Sequence, residues 1–194
     1  MAGKAMRWRA FLLLGGFLPL CWLGMQVVHE VGHVLGAFAT GGIVTCVVLH
    51  PLMISRTDVA PNPQPTFEVW AGPILGVLVP LLGWTIVRRM KLSWEFLPRF
   101  FAGFCLVANG AYLGCGSFNA IGDAGELLRH GSPIWVLWFF GAATIPLGLH
   151  LWNGEGAHFG LGAEPLPVSS RTILGCYCLL ILVLGAEFLW SPAS

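Results

Sequence analysis

Charge is what this chain has least of. Its 194 residues include ten Lys and Arg and nine Asp and Glu, 10% of the total, against about 25% in an ordinary soluble domain. The two signs nearly cancel at +1, which leaves no basic footprint for nucleic acid or other polyanions. Internal repeats are missing, and no low-complexity stretch marks a linker, which excludes a solenoid and gives no domain boundary. A disulfide framework is also missing. Of the six cysteines, Cys21, Cys105, Cys115, Cys176 and Cys178 fall within apolar runs and only Cys46 lies outside them, so they read as small hydrophobes. Cys176 and Cys178 are two apart on an expected helix and cannot face one another as a ligand pair.

What is present is hydrophobic surface, 56% of residues and a mean hydropathy of +0.77. Uncharged or nearly uncharged stretches recur at 10–40, 69–87, 100–121, 133–151 and 172–190. Each is long enough to cross a hydrocarbon core of about 30 Å as a helix. The expected fold is an all-α membrane protein, a bundle of about five transmembrane helices in a single domain over 1–194, surrounded by membrane lipid. The first stretch exceeds one crossing, and Gly15-Gly16 and Pro19 offer a break in it. Although Lys4, Arg7 and Arg9 precede this apolar run and Ala37-Phe38-Ala39 resembles a cleavage site, the run is too long for a signal core and reads as a retained anchor. Tryptophans such as Trp8, Trp70, Trp94, Trp152 and Trp190 flank the stretches as an aromatic belt.

After Gly41-Gly42 the texture changes. The β-branched run 44–49, followed by Pro51 and then by Pro61, Asn62, Pro63 and Pro65, suggests a short strand or hairpin at the membrane surface. Seven of the ten basic residues lie in the N-terminal tail and in the 88–99 loop. With five crossings those regions share a side, which the positive-inside rule makes cytoplasmic, N-terminus included.

Into this apolar background the chain places His29-Glu30-Val31-Gly32-His33, which fits the HExxH zinc-hydrolase pattern. Histidines four apart on a helix lie one turn above each other, so His29 and His33 can address one ion. Glu30 beside them is left to handle a proton as general base. A catalytic zinc ion usually takes three protein ligands, and Asp123, the first acidic group after a long uncharged run, is the best candidate for the third. His29 lies twenty residues past Arg9 and Asp123 twenty-four past Arg99, so helices starting from one face bring them to similar depth. Glu126 is the alternative carboxylate but is closer to polar loop residues.

With these residues in place, the chain resembles the site-2 protease family of intramembrane zinc metalloproteases. HEVGH matches the family's first motif, Ala71-Gly72-Pro73 its small-residue-plus-proline element, and 119–125 its Asn- and Asp-Gly-containing motif. The likeness spans about 27–126 within a metalloprotease-like core of 19–130, the helices in 133–190 being additional. It implies that His29, His33 and Asp123 hold Zn2+, that Glu30 is the base, and that a transmembrane or membrane-adjacent protein is the substrate. Asn119, four residues before Asp123, would steady the substrate backbone or an oxyanion if the segment stays helical; a polar contact between helices is the other reading.

Two further functions fit the composition. Asp123 is followed by Ala124 before Gly125, where the family motif reads Asp-Gly. That motivates a non-proteolytic relative keeping zinc as a structural or accessory subunit. A small transporter using the buried His and Asp groups is the other, although paired broken helices are missing. Substrate identity and oligomeric state leave no mark in the sequence.

Overall fold

The computed structural model describes residues 2–161 and 166–190. Its elements, in order, are α1 (Ala2–Thr40), β1 (Val44–Val48), β2 (Arg56–Val59), α2 (Pro65–Arg89), α3 (Phe96–Asn119), α4 (Gly122–Arg129), α5 (Ile134–Trp152), a short 3-10 helix (Glu155–Phe159) and α6 (Ser170–Trp190). Five helices, all but α4, are long and apolar enough to cross a membrane. Large apolar side chains face outward along them, among them Phe38, Leu82, Phe139, Leu182 and Leu189. A soluble surface would not carry such a continuous coat; acyl chains accept it without cost.

α1 runs as one helix of 39 residues through Pro19, without the break expected at Gly15-Gly16. Those glycines serve packing instead, because a Cβ at either would lie 3.0–3.2 Å from the Tyr177 side chain of α6. α6 thus runs parallel to α1, while α2 returns antiparallel to it and α5 antiparallel to α3. Small residues set these crossings. A Cβ at Gly148 of α5 would lie 2.7 Å from Gly103 O of α3, and one at Gly141 would lie 2.9 Å from Gly110 O, the close backbone approach that drives helix association in lipid.

β1 and β2 form an antiparallel hairpin with a register irregularity between Val44 and Cys46. The hairpin folds back along α1. Val59 meets Gly42 near the end of α1, while Thr57 reaches Glu30, about 15 Å further down the helix. Its tip holds Leu52 and Ile54, both more than 80% exposed.

The N-terminus of α1, the α2–α3 loop and the chain around the 3-10 helix gather at one end. Arg9 Nη1 donates to Val168 O (3.4 Å), and Arg99 Nη1 pairs with Glu155 Oε1 (2.6 Å). Arg7, Arg9, Arg88, Arg89, Lys91, Arg99 and Arg171 all belong to this end. The opposite end, with the hairpin and α4, has Arg56 and Arg129.

Candidate metal centre

HEVGH lies inside α1, and its apolar neighbours explain why the helix forms there. What they do not explain is four buried polar side chains within two turns, Gln26, His29, Glu30 and His33. They face a cavity of about 920 Å³ closed by α2, α3, α4 and the hairpin. α2 can come close because it is stripped of side chains there. A Cβ at Gly32 of α1 would lie 2.6 Å from Ala71 O, and a Cβ at Gly72 would collide with the His33 ring. Ala71-Gly72-Pro73 is therefore the back wall that makes room for His33. One turn on, a Cβ at Gly76 would lie 2.9 Å from Asn109 Oδ1.

α4 delivers the carboxylate. α3 ends at Asn119, Ala120 turns left-handed at φ 49°, and Gly122 follows at φ 53°, where any Cβ would strike the Tyr112 hydroxyl. The chain then re-enters a helix with Asp123 in its first turn, a favourable end for negative charge. Asp123 Oδ2 lies 2.9 Å from His29 Nε2 and 3.3 Å from His33 Nε2, and the two Nε2 atoms are 3.1 Å apart. Zinc bonds of about 2.0–2.1 Å in tetrahedral geometry place ligand atoms roughly 3.3 Å apart. The donor set fits a zinc ion.

The far sides of the rings decide their tautomers. His29 Nδ1–H donates to Asn109 Oδ1 (2.7 Å), an amide whose orientation is fixed because its Nδ2 donates to Cys105 O (2.9 Å). His33 Nδ1–H faces Glu68 O (3.2 Å) and Glu68 Oε1 (3.1 Å), and Asn62 Nδ2 donates to Glu68 Oε2 (3.1 Å). With both Nδ1 atoms donating, both Nε2 lone pairs point at Asp123, as in a metal site with its outer ligands in place. Two lone pairs and a carboxylate oxygen converging on one point repel each other unless a proton or a metal cation lies between them. Among the described residues no Lys or Arg pairs with Glu30, Glu68 or Asp123.

Glu30 stands outside this ligand trio. It is buried, and Thr57 Oγ1 of β2 donates to its Oε2 (2.7 Å). Glu126 is also outside, paired with Arg129 and half exposed. The expected shared face of Asn119 and Asp123 does not form, because the turn at Ala120–Gly122 separates them; Asn119 is exposed and does not line the cavity. Of the hairpin, β2 lines the cavity along its length and β1 contributes only Thr45, whereas the sequence drew attention to the run that became β1.

Sequence reasoning missed Asn109, Glu68, Tyr112 and Thr57. Asn109 carried a signal, being a lone amide in the middle of an apolar stretch. Glu68 stands one turn before Gly72 and was hidden by its position at the start of its helix. Tyr112 Oη accepts the Asp123 N–H (3.2 Å), and its ring meets His29 edge to face. Thr57 had no local signal, since its partner lies across the hairpin fold. No protein-family model matches the chain, and no curated protein and no solved structure matches it either.

Proposed function

We propose that the chain is an intramembrane zinc metalloendopeptidase that hydrolyses peptide bonds of membrane-embedded or membrane-adjacent proteins. The observation that carries this reading is the convergence of two histidine Nε2 atoms and one Asp123 oxygen within 3.3 Å of one another, with a separate buried glutamate lining the same cavity. A structural site would have no use for that glutamate. The resemblance of HEVGH, Ala71-Gly72-Pro73 and 119–125 to the site-2 protease family points the same way.

His29, His33 and Asp123 would hold the ion, which when bound supplies Lewis acidity toward a carbonyl and lowers the pKa of water to about 7. Glu30 then accepts the proton of the attacking water and returns it to the leaving amine nitrogen, held in place by Thr57. Tyr112, whose oxygen already accepts from Asp123 N–H, keeps its own O–H proton for the developing oxyanion. β2 pairs with β1 on one edge only, so its other edge can add an extended substrate segment by main-chain hydrogen bonds. Such pairing holds the peptide unwound, as attack on its carbonyl requires.

The test is Glu30→Gln, measured for zinc stoichiometry and cleavage of a transmembrane substrate in one preparation. Gln keeps the size and the Thr57 contact but takes no proton, so zinc stays at the wild-type level and cleavage falls about 10²- to 10⁴-fold. Cleavage at the wild-type rate would overturn the base assignment. The basic end of the bundle we assign to the cytoplasm, together with the N-terminus. Cysteines introduced at Lys91 and Asn62 should label from opposite sides, Lys91 from the cytoplasm.

A further inference from the structure

A second cavity, of about 870 Å³, lies on the other flank of α1 and shares no residue with the first. α6 packs chiefly along α1 and little against α3, and between the three helices lies an apolar wedge walled by Phe17 and Val28 of α1, Leu97 and Phe101 of α3, and Leu179 and Val183 of α6. Its polar residues cluster at one end. Arg171 and Thr172 open α6, and Ser93 comes from the α2–α3 loop. No acidic side chain among the described residues lines it. This is the basic end of the bundle, where Arg9 reaches Val168 O.

A wedge between helices in a bilayer is filled by whatever surrounds it, and its apolar wall selects hydrocarbon over water. From Arg171 to Val183 α6 rises about 18 Å, slightly more than half of a hydrocarbon core of roughly 30 Å. The wedge is as deep as one leaflet and carries its positive charge at headgroup level. We propose that this α1–α3–α6 wedge binds one anionic phospholipid, its acyl chain between Phe17, Phe101 and Leu179 and its phosphate at Arg171 with the Thr172 and Ser93 hydroxyls. A zwitterionic lipid would bring an ammonium group to a mouth that has Arg171 and no lining carboxylate to receive it.

The test uses the purified full chain in mild detergent with equal amounts of phosphatidylglycerol and phosphatidylcholine, and native mass spectrometry of the retained lipid. Phosphatidylglycerol should be enriched roughly 5-fold, the equivalent of about 1 kcal/mol for one basic residue at an anionic surface. Arg171→Gln should equalise the two lipids. Gly175 lines the wedge and a Cβ there meets nothing within 4 Å, so Gly175→Leu should fill the space and displace both lipids while helical content holds. Leu179→Trp, one turn on, repeats that block from a different position. Equal retention of the two lipids by the wild type would overturn the charge selection. Undiminished lipid in a folded Gly175→Leu or Leu179→Trp variant would overturn the site, as would displacement of the lipid by soluble glycerol phosphate at equal concentration.

Discussion

The two ends of the bundle each bury a carboxylate, and they deal with it in opposite ways. At the basic end Glu155 is enclosed, and burial pushes its carboxyl up in pKa while Arg99 beside it pulls it back. Arg99 pairs with Glu155 at 2.6 Å and also donates to Asn153 O. A guanidinium pairs with that group through Oε1, and the pair ties the 3-10 helix to α3. At the other end Asp123, Glu30 and Glu68 surround two histidines whose Nδ1 protons are already committed, and among the described residues no guanidinium or ammonium answers them. Buried charge is tolerated only when paired or bound to metal. The comparison teaches that one desolvation problem is met in two ways: at Glu155 the chain supplies its own cation, and around His29, His33 and Asp123 it gathers buried polar groups without one, the arrangement that the proposed metal would complete.

The sharpest way to break the comparison is to remove a donor. His29→Ala, His33→Ala or Asp123→Ala should each reduce bound zinc from one equivalent to near none and abolish cleavage, whereas Glu126→Ala should retain both. Metal analysis of the purified variants reads this directly. Full zinc in Asp123→Ala together with loss in Glu126→Ala would move the third ligand to the other carboxylate.

A smaller effect is expected behind the ligands. Asn109→Leu removes the acceptor that fixes the His29 tautomer, and zinc affinity should fall about 10- to 100-fold, the usual cost of losing an outer-shell partner. Competition with a chelator of known affinity measures it. Arg99→Met is the counterpart at the closed end. It strands Glu155 in a buried position and should cost about 2–4 kcal/mol, below the full range for a buried pair because Arg99 is 30% exposed. Zinc affinity should not change. A lower unfolding temperature with unaltered chelator competition would keep the two roles apart; weakened zinc binding would merge them.

Much of the fold was legible because membrane crossing is written in composition. The five spans follow from where charge is absent, and the hairpin from a β-branched run between turn residues. The clustering of His29, His33 and Asp123 was legible for a related reason, since these residues interrupt apolar surroundings. Asn119 was misplaced because periodicity carried a helix through Ala120, where the backbone turns left-handed at φ 49°. Gly15-Gly16 was read as a break because sequence alone cannot tell a flexible glycine from one that admits Tyr177. Thr57 was invisible for want of the fold that brings it to Glu30.

By itself the sequence determined that this chain spans a membrane, and that polar groups inside a span must have partners, because hydrocarbon offers none. It also determined the spacing that puts two imidazoles on one helical face. Only the tertiary structure decided which carboxylate meets them, since that depends on the turn at Ala120–Gly122, and which groups stand behind the rings, since Asn109 and Glu68 arrive from separate helices. Only it opened the wedge beside Arg171, because the gap between helices is set by side-chain fit over the whole crossing. Local pattern fixes what a helix must hide; the packing of helices against one another fixes where the hidden groups converge.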